Sequence, residues 1–128
     1  MKYMMMSILT ALGLGTSSCA QQENITSVDA NHFENAIHAN NVQLLDVRTA
    51  NEYAEGHIAY ATNVDVQQND FLAKVEQSFS KTKPAYVYCR SGKRSMMAAN
   101  KLAKTGYKVI NLRGGILEWI DAGKPINR

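Results

Sequence analysis

Cysteine is nearly absent from this 128-residue chain, which has two, Cys19 and Cys89. So small a number excludes a disulfide framework as the basis of the fold. Charge of one sign is also lacking. The 14 Lys and Arg residues face 11 Asp and Glu, a formal net charge of +3, and the cations are scattered except at 90–94 and 101–104. That balance excludes the basic footprint of a nucleic-acid binder. No apolar run approaches the roughly 20 residues that a membrane-crossing helix needs. The three histidines supply no metal motif, since His32 and His38 fall at i and i+6 on a helical pattern. Internal repeats and low-complexity tracts are missing too. With 45% hydrophobic content, what remains is the composition of one ordinary globular domain.

The first eighteen residues stand apart. Lys2 precedes the uncharged, mostly apolar run "YMMMSILTALGLG", and the small residues "TSSCAQQ" follow. This layout predicts a secretory signal peptide over residues 1–18, a flexible polar segment at 19–24 and a domain spanning 25–128. Two cleavage sites fit. Ser17 and Ser18 before Cys19 resemble the lipobox of bacterial lipoproteins, with Thr16 where Leu is usual, and this reading makes Cys19 the acylated first residue. Ser18 and Ala20 also suit ordinary signal peptidase, which would leave a chain beginning at Gln21. The expectation is an exported, periplasmic protein whose one link to a membrane is a lipid at Cys19. On either reading Cys89 is the only free thiol left, in an oxidising compartment where an unused thiol is a hazard.

Short apolar runs alternate with helical spacing through the rest of the chain. Asp29 is the predicted N-cap of a helix to about Ala39, with Phe33, Ala36 and Ile37 at helical intervals. The runs "VQLLDV" (42–47), "TNVDV" (62–66), "AYVYC" (85–89) and "KVINL" (108–112) read as strands. Between the first two, "TANEYAEGHI" reads as a turn, one helical turn and a loop at Gly56. Asp70 starts a helix to about Phe79, and Lys83-Pro84 breaks the chain after it. Ala98, Ala99, Leu102 and Ala103 place a helix over 95–105 with Gly106 to end it, and a last helix holds Ile116, Trp119 and Ile120. Such alternation predicts a mostly parallel sheet covered on both faces, with ligands bound beyond the carboxyl ends of its strands.

Cys89 sits at one of those ends and is followed at once by "RSGKRS". A short loop closing onto a helix N-terminus aims several backbone N–H groups at one point, and the helix dipole adds positive potential. Gly92 lets the backbone curl. Arg90, Lys93 and Arg94 add full charges at the rim, a setting that favours a thiolate nucleophile without a histidine base.

"CRSGKRS" after "YVY", together with "LLDVRTANEYAEGHI", "ATNVDV" and "NLRGGILEWIDAGKPI" in that order over residues 42–126, resembles the single-domain rhodaneses, a sulfurtransferase family. The resemblance implies a rhodanese-like α/β fold, a five-stranded mostly parallel sheet flanked by helices on both faces. It also implies a persulfide on Cys89 as the reaction intermediate. The expected activity moves a sulfane sulfur from an anionic donor, thiosulfate or a polysulfide, to cyanide, a small thiol or a protein thiol, with no metal or organic cofactor. "GHIAYA" departs from the family's usual "GHIPGA", with Ala59 and Tyr60 in place of Pro and Gly, which touches a structural turn more than the chemistry.

Cys89 is thus the predicted catalytic residue, and Arg90, Ser91, Gly92, Lys93, Arg94 and Ser95 the predicted substrate-binding loop, with Arg94 closing the cradle. Arg90 and Lys93 either tune donor choice or are solvated charges. Asp46 and Arg48, at the end of the first strand, are candidates for a supporting role at the mouth. Their plainer reading has Arg48 paired with Glu52 or Glu55 and Asp46 accepting backbone hydrogen bonds. His57 reads as a turn histidine with a hydrogen-bonded ring, and Tyr86, Tyr88 and Trp119 as packing residues. Two other functions compete. A cysteine phosphatase or arsenate reductase of related fold would use C-x5-R, whereas Cys89 to Arg94 is C-x4-R, a smaller ring that suits one sulfur atom. A non-turnover sulfur carrier or binding module is the other, while a thiol oxidoreductase lacks its resolving cysteine.

Overall fold

The computed structural model describes residues 24–39 and 41–128, so the predicted signal peptide and Cys19 lie outside the described residues. The centre of the sheet is β4 (Ala85–Tyr88), and its sequence explains why. Ala85 and Val87 point to one face and Tyr86 and Tyr88 to the other, so both faces want cover, as in an internal parallel strand. On one side β4 pairs with β5 (Val109–Leu112), which pairs in turn with β1 (Ile25–Val28). On the other it pairs with β2 (Gln43–Asp46), and β2 with the two-residue β3 (Thr62–Asn63). All four pairings are parallel, in the order β1-β5-β4-β2-β3.

Two cores follow from the alternation. Leu45, Val87 and Val109 face α3 (Phe71–Ser78) and α4 (Lys93–Lys104), which bury Phe71, Val75, Ala98, Ala99 and Leu102 against them. Leu44, Tyr88 and Leu112 face α1 (Ala30–Ile37) and α5 (Gly115–Asp121), which supply Phe33, Ile116 and Trp119. The short α2 (Ala50–Glu55) adds Tyr53 to this second side. This is the five-stranded sheet covered on both faces that the resemblance implies.

Local chemistry sets the element ends. Asp29 caps α1 as expected, its carboxylate accepting from His32 N–H at 2.9 Å, and the helix stops at Ile37 rather than near Ala39. Thr49 caps α2 through a capping box with Glu52, each side chain taking the other's backbone N–H. Gly92 sits at φ +108 and turns the chain into α4 at Lys93, two residues earlier than the apolar spacing indicates. Asp70 makes no capping bond to α3, whose first residue is Phe71. The predicted 62–66 strand shortens to Thr62–Asn63, although Val64 and Val66 N–H still donate to Asp46 O and Val47 O at 3.0 and 3.2 Å, and Asp65 accepts from Gln67 N–H at 2.9 Å in the turn that follows. Trp119 and Tyr88 are buried, as read from sequence. The carboxyl ends of β2, β4 and β5 lie side by side and bring Asp46, Cys89 and the Arg113-Gly114-Gly115 turn to one end of the sheet.

Candidate active site

Cys89 follows the last residue of β4 and is 1% exposed. Its Sγ accepts a hydrogen bond from Gly92 N–H at 3.0 Å, and the thiol donates to Ser95 Oγ at 3.5 Å. Ser95 Oγ in turn donates to Gly92 O at 3.1 Å. Of the several loop N–H groups expected to converge, Gly92's is the one within hydrogen-bond reach of the sulfur among the described residues. The rest of the predicted loop divides by burial. Gly92 and Ser95 are buried and Arg94 half-buried, while Arg90, Ser91 and Lys93 stand exposed at the rim.

The loop is held from a side that the sequence reading did not assign. The first turn of α5 donates from Ile116 N–H to Cys89 O at 2.9 Å and from Leu117 N–H to Arg90 O at 3.1 Å. These are N–H groups a helix start leaves unpaired, and they tie both carbonyls to α5. So close an approach requires glycine. A Cβ on Gly115, at φ +66, would lie 2.3 Å from Arg90 O, and one on Gly92 would lie 2.2 Å from Arg113 O. The signal was present as "RGG" before a helical pattern, where adjacent glycines mark a close backbone contact.

Two ion pairs frame the mouth, and one corrects the sequence reading. Arg48 pairs with neither Glu52 nor Glu55. Its Nη2 donates to Asp46 Oδ2 at 2.6 Å and to Gly56 O at 2.7 Å, with Nε 3.0 Å from Asp46 Oδ1. Asp46 also accepts Arg48's own backbone N–H at 2.9 Å, an Asx-type turn that folds the guanidinium back onto the carboxylate. Burial disfavours the Arg48 charge, but Asp46 more than compensates and its pKa is raised overall. Glu52 instead takes Arg94 in a bidentate pair, Nη1 to Oε1 at 2.7 Å and Nη2 to Oε2 at 2.9 Å. The Arg94 hydrogen bonds, helped by Thr49, hold the Glu52 carboxyl down at about 2. The same bond raises Arg94, with a smaller contribution from the Cys89 charge. His57 has the predicted ring bond, Nδ1 lying 2.9 Å from Tyr53 O, and it stacks on Tyr53.

Outside the loop lies a cavity of about 220 Å³ bordered by Arg48, Arg90, Ile116 and Leu117. A larger depression of about 620 Å³ lies beside the amino end of β2, lined by Ile37, Leu44, Ile58 and Trp119. No cysteine, serine, threonine or lysine lines it. Among the described residues no group of three or more His, Cys, Asp and Glu could hold a metal ion, and no helix is long and apolar enough to cross a membrane. The arrangement at Cys89 is that of a buried sulfur with one loop N–H on it, in a loop whose Arg94 guanidinium is fixed by Glu52.

Comparison with known proteins agrees with this geometry. The rhodanese-like domain profile matches residues 29–122. Thiosulfate sulfurtransferase 18 of Arabidopsis thaliana is 34% identical over 123 residues, covering 87% of this chain and 90% of its own. A sulfurtransferase of Allochromatium vinosum is 40% identical over 87 residues, 66% of this chain and 78% of its own. The crystal structure of a rhodanese-related protein from Thermoplasma volcanium superposes with a TM-score of 0.70 at 29% identity, covering 80% of this chain and 97% of that one. The chain belongs to the rhodanese-like domain family and has sulfurtransferases among its relatives.

Proposed function

We propose that the protein is a sulfurtransferase that carries a sulfane sulfur on Cys89. The observation that carries this reading is the Gly92 N–H on Cys89 Sγ, in a C-x4-R loop with no second described thiol and no base beside the sulfur. The Cys89 thiolate attacks the outer sulfur of thiosulfate, or a terminal sulfur of a polysulfide. A new S–S bond forms, the donor's S–S bond breaks, and its electron pair leaves with sulfite or the shorter polysulfide. The negative outer sulfur of the persulfide then rests among the loop groups, where Gly92 N–H and Arg94 supply positive poles. A nucleophilic acceptor, cyanide or a thiol, attacks that sulfur and the pair returns to Cys89, a ping-pong cycle. Arg90 and Lys93 at the rim draw in the anionic donor.

Export and acylation at Cys19 complete the proposal, supported by the order of Lys2, apolar run and small residues. Intact mass of membrane-extracted protein tests them, because a diacylglyceryl group adds mass that cleavage before Gln21 cannot.

The activity is tested by intact mass before and after thiosulfate or polysulfide, beside Cys89→Ser. The expected result is a gain of one sulfur, about 32 Da, that cyanide removes and the serine variant never shows. No gain with any donor, with turnover of a phosphate ester or arsenate instead, refutes the reading and makes the loop an oxyanion site.

A further inference from the structure

The Cys89 sulfur has two hydrogen-bond partners among the described residues, and they differ in kind. Gly92 N–H is a backbone donor fixed 3.0 Å away, whereas Ser95 Oγ, 3.5 Å away, belongs to a hydroxyl with one hydrogen and two lone pairs. That hydrogen is spent on Gly92 O at 3.1 Å, so the serine accepts from the thiol and donates nothing to the sulfur. The arrangement suits Cys89 as a neutral thiol. It does not suit the thiolate that must attack a sulfur donor, because an anionic sulfur would face an oxygen lone pair.

The hydroxyl can answer that change without moving a heavy atom. Rotation about its Cβ–Oγ bond carries the hydrogen from Gly92 O to the sulfur, and the oxygen already lies within reach of both. No buried group is stranded by the turn. Gly92 O keeps a second hydrogen bond, from Met96 N–H at 3.2 Å, the ordinary i to i−4 bond of the first turn of α4. Ser95 is fully buried, so bulk water does not compete for its hydrogen. Charged groups surround the loop, but none of them bonds the sulfur. Arg90 and Lys93 stand exposed, and Arg94 is held by Glu52 of α2, with Asp65 near enough to act on it. Asp46 is taken by Arg48 at the end of β2, and Glu118 of α5 by the N–H groups of Gly114 and Ala30. Arg113, in the turn after β5, is exposed. All of these stay as they are whether or not residue 95 carries a hydroxyl.

Resting on the sulfurtransferase reading, we infer that Ser95 is a catalytic residue whose hydroxyl turns from Gly92 O to Cys89 Sγ whenever that sulfur is an anion. In the loading step the thiol proton goes to solvent and the Ser95 hydrogen takes its place on the sulfur. The thiolate then attacks the donor's outer sulfur as the donor's own S–S bond breaks and its electron pair departs. In the second step an acceptor takes the outer sulfur, the bond to Cys89 Sγ breaks, and the electron pair returns to a thiolate that the same hydroxyl stabilises. The thiol has one donor and one acceptor beside it. The anion has two donors, Gly92 N–H and Ser95 O–H.

The test compares the native protein with Ser95→Ala, which removes one buried oxygen and leaves Gly92 O bonded to Met96 N–H. Alkylation by iodoacetamide is followed against pH by peptide mass, which separates Cys89 from Cys19. Loss of a charge-assisted hydrogen bond from the thiolate should move the midpoint of the Cys89 profile upward by about one pH unit, a roughly tenfold change in ionisation. Discharge of the sulfur-loaded variant to cyanide should slow about threefold, because a more basic thiolate leaves less readily. A serine that only packs would change the folded fraction, read from Trp119 fluorescence, and leave the midpoint in place. A midpoint within about 0.3 unit of the native one, a midpoint that falls, or discharge as fast as in the native protein would overturn the inference. Alkylation needs no sulfur donor, so the two readings fail separately. A raised midpoint in protein that takes no sulfur refutes the sulfurtransferase reading, and loaded protein with an unmoved midpoint refutes the turning hydroxyl.

Discussion

Gly115 joins the end of β5 to the reactive loop, and its replacement by alanine separates two physical effects. At φ +66 any Cβ is strained by about 1 kcal/mol. The added carbon would also lie 2.3 Å from Arg90 O and 2.7 Å from Cys89 O, both rigid backbone, so α5 must retreat from the loop. Retreat lengthens the Ile116-to-Cys89 and Leu117-to-Arg90 bonds, now 2.9 and 3.1 Å, each worth about 1 kcal/mol. Gly115→Ala should therefore lose about 3 kcal/mol, a large part of the roughly 5–15 kcal/mol that holds a domain together. Gly123→Ala isolates the strain, because Gly123 has φ +78 and nothing within 4 Å of its would-be Cβ. It should lose about 1 kcal/mol, and the smaller unfolded-state entropy of alanine offsets both variants alike. Urea unfolding read from the single tryptophan, Trp119, which is buried on α5, measures both. With a slope of about 2 kcal/mol/M the midpoints should fall by about 1.5 M and 0.5 M. Gly115→Ala should also load sulfur more slowly while folded. A Gly115→Ala midpoint within about 0.3 M of Gly123→Ala would show that α5 does not brace the loop, and the reasoning fails.

The Glu52–Arg94 pair makes stability depend on acid. Arg94 lowers the Glu52 carboxyl from 4.5 to about 2, so its stabilisation is complete above pH 4.5 and is lost as pH falls through about 2. The full shift corresponds to about 3 kcal/mol, reduced to about 2 for a pair that is a fifth to a quarter exposed. Glu52→Gln should be less stable by that amount at pH 7, and urea midpoints should show more than half of the gap closed by pH 3, whereas a gap unchanged at pH 3 would mean the charge contributes nothing. Tyr60 sits at φ +69 with its ring 98% exposed, so Tyr60→Gly should remove about 1 kcal/mol of backbone strain against a smaller loss in glycine entropy. A thermal melt should rise slightly, and a fall would reveal a contact made by the ring.

The fold was legible where a few consecutive residues decide an element. β4 announces itself because all four of its side chains demand cover, and α1 because Asp29 and Phe33 stand at cap and core spacing. β1 does not, and the sequence reading offers no strand there. "ITSV" has two polar residues in four, and its strand character comes from pairing with β5, Ser27 opposite Asn111 across 84 positions of chain. Tertiary context made that strand, since nothing local to it forbids a coil. The 62–66 run failed in the opposite sense. Its apolar alternation is real and Val64 and Val66 keep single bonds to Asp46 O and Val47 O, but the regular ladder ends at Asn63 and the Asp65 side chain starts a turn just beyond.

The candidate site divides along the same line. Cys89, Gly92 and Ser95 lie within seven consecutive residues, so the loop's chemistry could be read from seven letters, and the structure brings Gly92 and Ser95 to the Cys89 sulfur. What holds the loop could not be read that way. Arg94 meets a carboxylate 42 positions earlier, and Cys89 and Arg90 lean on N–H groups that arrive after β5. The Arg48 misassignment shows why. Counting forward along a helix points from Arg48 to Glu52, but Arg48 precedes the cap of α2, and before a cap the near neighbour is the Asx partner two residues back. With Asp46 spent on Arg48, Glu52 is left for Arg94, the half-buried of the reactive loop's two guanidiniums. The two pairs therefore act as one device: the turn at the end of β2 decides which carboxylate reaches the loop at the end of β4. A substitution at Asp46 should then be felt at Cys89 through Arg48, Glu52 and Arg94 in turn, without Asp46 touching the sulfur.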